Sequence, residues 1–267
     1  MRWAVAFFLL VSAAPAAAQV PVAGAPVFPT WQAPQPAWHP TAGYVTTGQD
    51  EPGYRRWIAA QPWRAAHIGR FHRYLESAGV AFVVPTWQLL RTASDWQRCG
   101  ADPFDVPPPA EWANVVQTLR YLRDHVVPVV GPVEPVSAYR NPLLNRCAGG
   151  AANSVHQHLS AVDLVPLRPI SREMLMRQLC AAHATEGQRY RVGLGFYTKL
   201  RFHVDSWKFR TWGRRESGGL ACPQSYDLAR RELQRGAAAA SPAAASVTSA
   251  RPAALPPADP LAPLPQR

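Results

Sequence analysis

Apolar residues recur at three- and four-residue steps in two stretches of the chain. After Pro62, the positions Ala66, Ile68, Phe71 and Leu75, with Gly79 just beyond, predict an amphipathic helix opened by proline and closed by glycine. After Pro109, the stripe Trp112, Val115, Val116, Leu119, Leu122 and Val126 predicts a second helix facing a core. A third is expected from the Ser171 cap to about Ala182, with Glu173 in its first turn complementing the helix dipole. Strand character falls in shorter runs: 80–84 before Pro85, 133–139, 161–165 stopped by Pro166, 193–197 and 202–205. Asn141-Pro142 and Gly149-Gly150 mark a loop. Helices first and strands later predict an α+β fold, with helices packed on one side of a small, mainly antiparallel sheet.

Outside these elements the periodicity fades. Met1-Arg2-Trp3, an apolar stretch over 4–14 and Ala16-Ala17-Ala18 before Gln19 have the order of a cleaved secretory leader, expected over 1–18. The apolar stretch is shorter than the roughly 20 residues that cross a bilayer, so no transmembrane segment is expected in the mature chain. Residues 19–49 and 233–267 are rich in Pro and Ala and have little to bury against their ordering entropy, which predicts flexible segments around a domain at 50–232. Such a chain is expected in the periplasm or outside the cell. There, Cys99, Cys147, Cys180 and Cys222 are an even set that can pair in three ways. Joining Cys99 to Cys147 and Cys180 to Cys222 closes two loops of moderate length, and four buried thiols are the alternative. The net charge of +11 is almost all arginine, since Lys199 and Lys208 are the only lysines. That excess favours a polyanionic surface such as cell wall; the arginines are scattered without interleaved aromatics, so nucleic acid is not expected.

Polar residues that a core does not need concentrate in Ser137-Ala138-Tyr139-Arg140-Asn141, in Ser154 to Asp163, and in His203-Val204-Asp205. His156 and Asp163 are seven positions apart. On one helix that is a rise of roughly 10 Å, and on one strand an odd spacing aims the two at opposite faces. They can meet only if a loop carries His156 back over a strand holding Asp163. A carboxylate inside the run Ala-Val-Asp-Leu-Val is costly to bury without a partner, and a metal is a natural one. His203 would complete a set of two histidines and one carboxylate with a coordination position left open, the pattern of catalytic zinc.

These strings, S-A-Y-R-N, S-V-H with an aspartate seven beyond the histidine, and G-L-G-F-Y followed by F-H-V-D, resemble the zinc D-alanyl-D-alanine carboxypeptidase and endopeptidase family. That family belongs to the group containing lysostaphin-type peptidases and the hedgehog fold. The likeness spans roughly 85–212 and leans toward periplasmic murein endopeptidases whose last motif is H-x-D. It implies His156, Asp163 and His203 as zinc ligands, Arg140 as the group that binds and polarises substrate, Ser154 near the substrate, and a peptidoglycan peptide as partner. The chain departs from the pattern at Leu159, where relatives hold glycine, and at Leu200 and Arg201, where relatives hold the general base. Asp205 then has two open roles: catalytic base beside the metal water, or partner holding the His203 ring. A peptidoglycan-binding module that has kept the metal site without activity is the alternative function.

Overall fold

The computed structural model describes residues 39–240, and five short strands there form one sheet. They are β1 (Val133–Ser137), β2 (Ala161–Pro166), β3 (Gly193–Phe196), β4 (Phe202–Asp205) and β5 (Arg210–Trp212), in the order β1-β2-β4-β3-β5. Every pairing is antiparallel except that of β3 with β5. The helices are α1 (Glu51–Ala59), α2 (Pro62–Ser77), α3 (Trp112–Tyr121), α4 (Val127–Val130), α5 (Pro142–Cys147), α6 (Arg172–Glu186) and α7 (Pro223–Ala240). The chain is thus α+β, as the pattern predicts.

Side chains alternate across a strand, so Val162, Leu164, Leu194, Phe196, Phe202 and Val204 share one face of the sheet. They form a single core with Ile68, Phe71 and Leu75 of α2, Val115 and Leu119 of α3, and Leu175 and Leu179 of α6. Each such side chain contributes about 1.5–3 kcal/mol by leaving water. β1 lies at the sheet edge, where Pro135 is tolerated for want of an N–H. The pairing register shifts between Pro135 and Ser137, and this bulge brings Ser137 opposite Asp163.

The helix that begins near Pro109 does not run evenly. It passes through a wider π-helical stretch at Leu122–Val126 before α4, and Pro128 explains the change: its ring has no N–H to offer and crowds the carbonyl four residues back. α6 begins as expected, with Ser171 Oγ accepting from Met174 N, and continues past Ala182 to Glu186. Two expectations fail. Residues 80–84 form turns instead of a strand, with Val80 and Val84 buried but Phe82 88% exposed. The supposed loop after Asn141 contains α5, because Asn141 Oδ1 caps Leu144 N and Pro142 takes the first helical turn.

The expected leader and most of both expected flexible segments lie outside the described residues. Residues 39–49, assigned to the flexible N-terminal segment, instead pack on the domain. Gln49 is fully buried; its side chain donates to Pro103 O, and its carbonyl accepts from Arg91 Nε at 2.8 Å. Those polar partners, invisible in local composition, hold the segment down. α7 continues past the expected boundary at 232. Cys99 is joined to Cys147 and Cys180 to Cys222, the pairing that closes two moderate loops. Among the described residues no helix is long and apolar enough to cross a membrane.

Candidate metal centre and cleft

The face of the sheet opposite the core is built in rows. Strand register sets Ser137 (β1) beside Asp163 (β2), Asp163 beside His203 (β4), His203 beside Gly195 (β3), and Gly195 beside Trp212 (β5). One row therefore draws a residue from every strand. Two positions along lies a second row, in which Asp205, Gly193 and Arg210 are neighbours. The glycines of G-L-G-F-Y make room for these large groups. A Cβ on Gly195 would stand 1.9 Å from Trp212 Cε2, and one on Gly193 would stand 2.2 Å from Asp205 Oδ2.

His156 arrives from outside the sheet, on a short 3-10 turn (Val155–His158) whose cap is Ser154 Oγ. Arg140 N bonds His156 O at 3.1 Å, tying this turn to the end of β1. The turn closes at Leu159, which has a left-handed backbone (φ 50°) where the resemblance calls for glycine. That conformation costs a side-chain-bearing residue about 1–2 kcal/mol, and complete burial of the leucine offsets it by about 1.5–3 kcal/mol. The departure at 159 thus leaves the loop intact.

His156, Asp163 and His203 converge, and all three are buried. His156 Nε2 lies 3.2 Å from His203 Nδ1 and 3.3 Å from Asp163 Oδ1, and His203 Nδ1 lies 3.0 Å from Asp163 Oδ1. The remaining ring nitrogens are engaged elsewhere: His156 Nδ1 donates to Ala138 O at 2.6 Å, and His203 Nε2 donates to Asp205 Oδ2 at 2.8 Å. With those protons outward, the inward atoms are two imidazole lone pairs and a carboxylate oxygen. Three acceptors at such spacing repel unless a cation sits among them. Ligands about 2.0–2.1 Å from a tetrahedral zinc are separated by about 3.3 Å, so the donor set fits such an ion.

The electrostatics agree. Burial, and then Arg140, lowers the His156 pKa to about 4, so its ring is neutral. Burial opposes ionisation of Asp163, but the two imidazoles and Arg140 hold its pKa well below the usual carboxylate range. Burial likewise works against a charged His203, yet hydrogen bonds to Asp163 and Asp205 raise its pKa overall. A proton at His203 is thus the cation that competes for this place.

Around the triad lies a cleft of about 630 Å³. Arg140 lines it, donating Nη2 to Asp163 Oδ2 at 2.6 Å and Nε to Ser137 Oγ at 2.9 Å. Ser154 also lines it, although its hydroxyl caps the turn at His156 N. Asp205 does not face the cleft. It lies on the far side of the His203 ring, where Arg210 and Trp207 N occupy its other acceptor positions. Of the two roles open to it, these contacts match holding the ring. Among the described residues lining the cleft there is no other carboxylate to take that task.

Two groups escaped the sequence reading. Arg201 Nη2 donates to Asp163 Oδ2 at 2.8 Å, and Tyr197 Oη donates to Asp163 Oδ1 at 3.2 Å. Arg201 stacks over the Tyr197 ring at 3.9 Å. Arg201 stood out only as a departure from the family pattern, and Tyr197 only as a strand end. A polar arginine and tyrosine flanking a tight strand turn were the available signal.

A buried triad of two imidazoles and a carboxylate at the floor of an arginine-lined cleft is the kind of centre that metal-dependent hydrolases use. Residues 88–205 match the family model described as Peptidase M15, which places this stretch among the zinc peptidases related to D-Ala-D-Ala carboxypeptidases. No curated protein and no solved structure matches the chain.

Proposed function

We propose that this chain is an exported zinc metallopeptidase that hydrolyses peptide bonds in peptidoglycan stems or cross-links. The observation that carries the reading is the convergence of two imidazoles and one carboxylate at a single buried point, His156 from a turn and Asp163 and His203 from neighbouring strands, within the span 88–205 that matches the Peptidase M15 model. His156, Asp163 and His203 would hold a zinc ion, which would supply Lewis acidity toward the scissile carbonyl and toward water. Ala138 O fixes the His156 ring and Asp205 the His203 ring, so both present a lone pair without reorganising.

Arg140 offers its guanidinium to the substrate carbonyl or to a stem carboxylate. Tyr197, whose pKa is pushed up to about 12 by burial and then by Asp163, stays protonated and offers a hydroxyl donor beside the same centre. Asp205 is a positioning residue. The missing carboxylate in the cleft favours one second reading, a peptidoglycan-binding module of the same fold without turnover.

Incubating the mature protein with defined muropeptides, with and without chelator, decides between them. We expect new peptide termini, their loss with chelator and their return with added zinc. Metal-loaded protein that binds muropeptides and releases no product overturns the peptidase reading in favour of the module.

A further inference from the structure

Beside the metal cleft, beyond Tyr197, lies a second groove of about 620 Å³. The two share Tyr197, Arg201 and Trp212, so a chain leaving the metal centre toward the turn between β3 and β4 runs into it. The charged groups of its remaining lining are Arg172, Lys199, Arg214 and Arg215 against Glu216, and Glu173 stands 3.4 Å from Arg215 Nη1, so cations outnumber acids. Like charges so crowded repel unless an anion joins them. Arg201 Nε and Arg215 Nε are moreover buried and bond to nothing among the described residues.

The groove is also braced. Lys199 has a left-handed backbone (φ 55°), which a lysine adopts only at some cost. Tyr44 Oη donates to Thr198 O at 3.1 Å on one side of the turn, and Arg172 donates to Lys199 O on the other. Arg172 also reaches Arg214 O at 3.1 Å, tying together the two segments that carry the cations. Lys199 is thus held in a costly conformation, at the edge of a groove where Lys199, Arg172 and Arg214 have no acid within ion-pair distance among the described residues.

We propose that this groove is a second binding site, which holds the carboxylate of an acidic residue in the substrate peptide while the neighbouring cleft holds the bond to be cut. The proposal rests on the peptidase reading for its substrate and extends it to a specificity determinant. A carboxylate suits the Lys199 ammonium and the Arg214 guanidinium, neither of which has an acidic partner among the described residues, and the Tyr197 and Trp212 rings offer apolar walls to the stem that carries it.

The test uses the zinc-loaded protein and two N-methylated, uncleavable peptides that differ only in a glutamate or a glutamine, both amidated at the C-terminus. Binding is read by calorimetry. The glutamate peptide is expected to bind at least about tenfold more tightly, and a Lys199→Gln, Arg214→Gln double variant with wild-type zinc content to lose that preference. Equal binding of the two peptides to the wild type overturns the proposal, as does a preference that survives in the variant. The readout needs no turnover. A preference in a protein that cleaves nothing leaves the groove standing and sinks the peptidase reading, whereas cleavage without preference does the reverse.

Discussion

The two faces of the sheet use the same five strands for opposite ends. On one, Val162, Leu164, Leu194, Phe202 and Val204 bury hydrocarbon against the helices. On the other, Asp163, His203 and Asp205 are equally buried and carry charge or hydrogen-bonding capacity that burial penalises. The contrast teaches where stability is generated and where it is spent. Leu164 and Phe202 flank Asp163 and His203 in sequence, so the alternation that turns leucine and phenylalanine inward turns the carboxylate and the imidazole to the other face. One periodicity produces both, and the core holds the polar row in register.

Substitutions on each face separate the two. The largest effect is expected from His203→Ala. It should lose zinc, measured by plasma mass spectrometry, and with the metal several kcal/mol of transition-state stabilisation, about a thousandfold or more in kcat/KM. Wild-type zinc content in that variant sinks the ligand assignment. Across the strand pair, Leu194→Ala should cost about 2–5 kcal/mol in a chemical denaturation experiment while leaving one zinc per chain. Loss of metal without loss of stability would show that the two faces are not separable in this way. Asp205→Asn is expected to be mildest, retaining zinc with an affinity lowered about 10–100-fold. Unchanged affinity would mean that Asp205 does not set the His203 ring.

Much of this could be read along the chain, because most of it is periodic. α2, the stripe through α3, and the strands holding Asp163, Gly195 and His203 follow from spacing alone, and Asp163 stood out as an acid in an apolar run. Features carried by distant partners could not be read so. Residues 39–49 look like a flexible linker until Arg91 and Pro103 reach them. α5 is so short that its opening and closing signals merge into what looks like a loop. The run at 80–84 has strand composition, but no neighbouring strand pairs with it. The role of Asp205 depends on which nitrogen of His203 turns inward, and no spacing rule contains that information.

Cys147, the last residue of α5, is bonded to Cys99 just ahead of the segment that rises to Ser154 and His156. The wall of the cleft is therefore anchored by a covalent tie that persists only under oxidising conditions. Reduction of that one bond would free the end of α5 and with it the approach to the His156 turn. The shape of the cleft is in this way coupled to the redox state of its surroundings through a single sulfur pair.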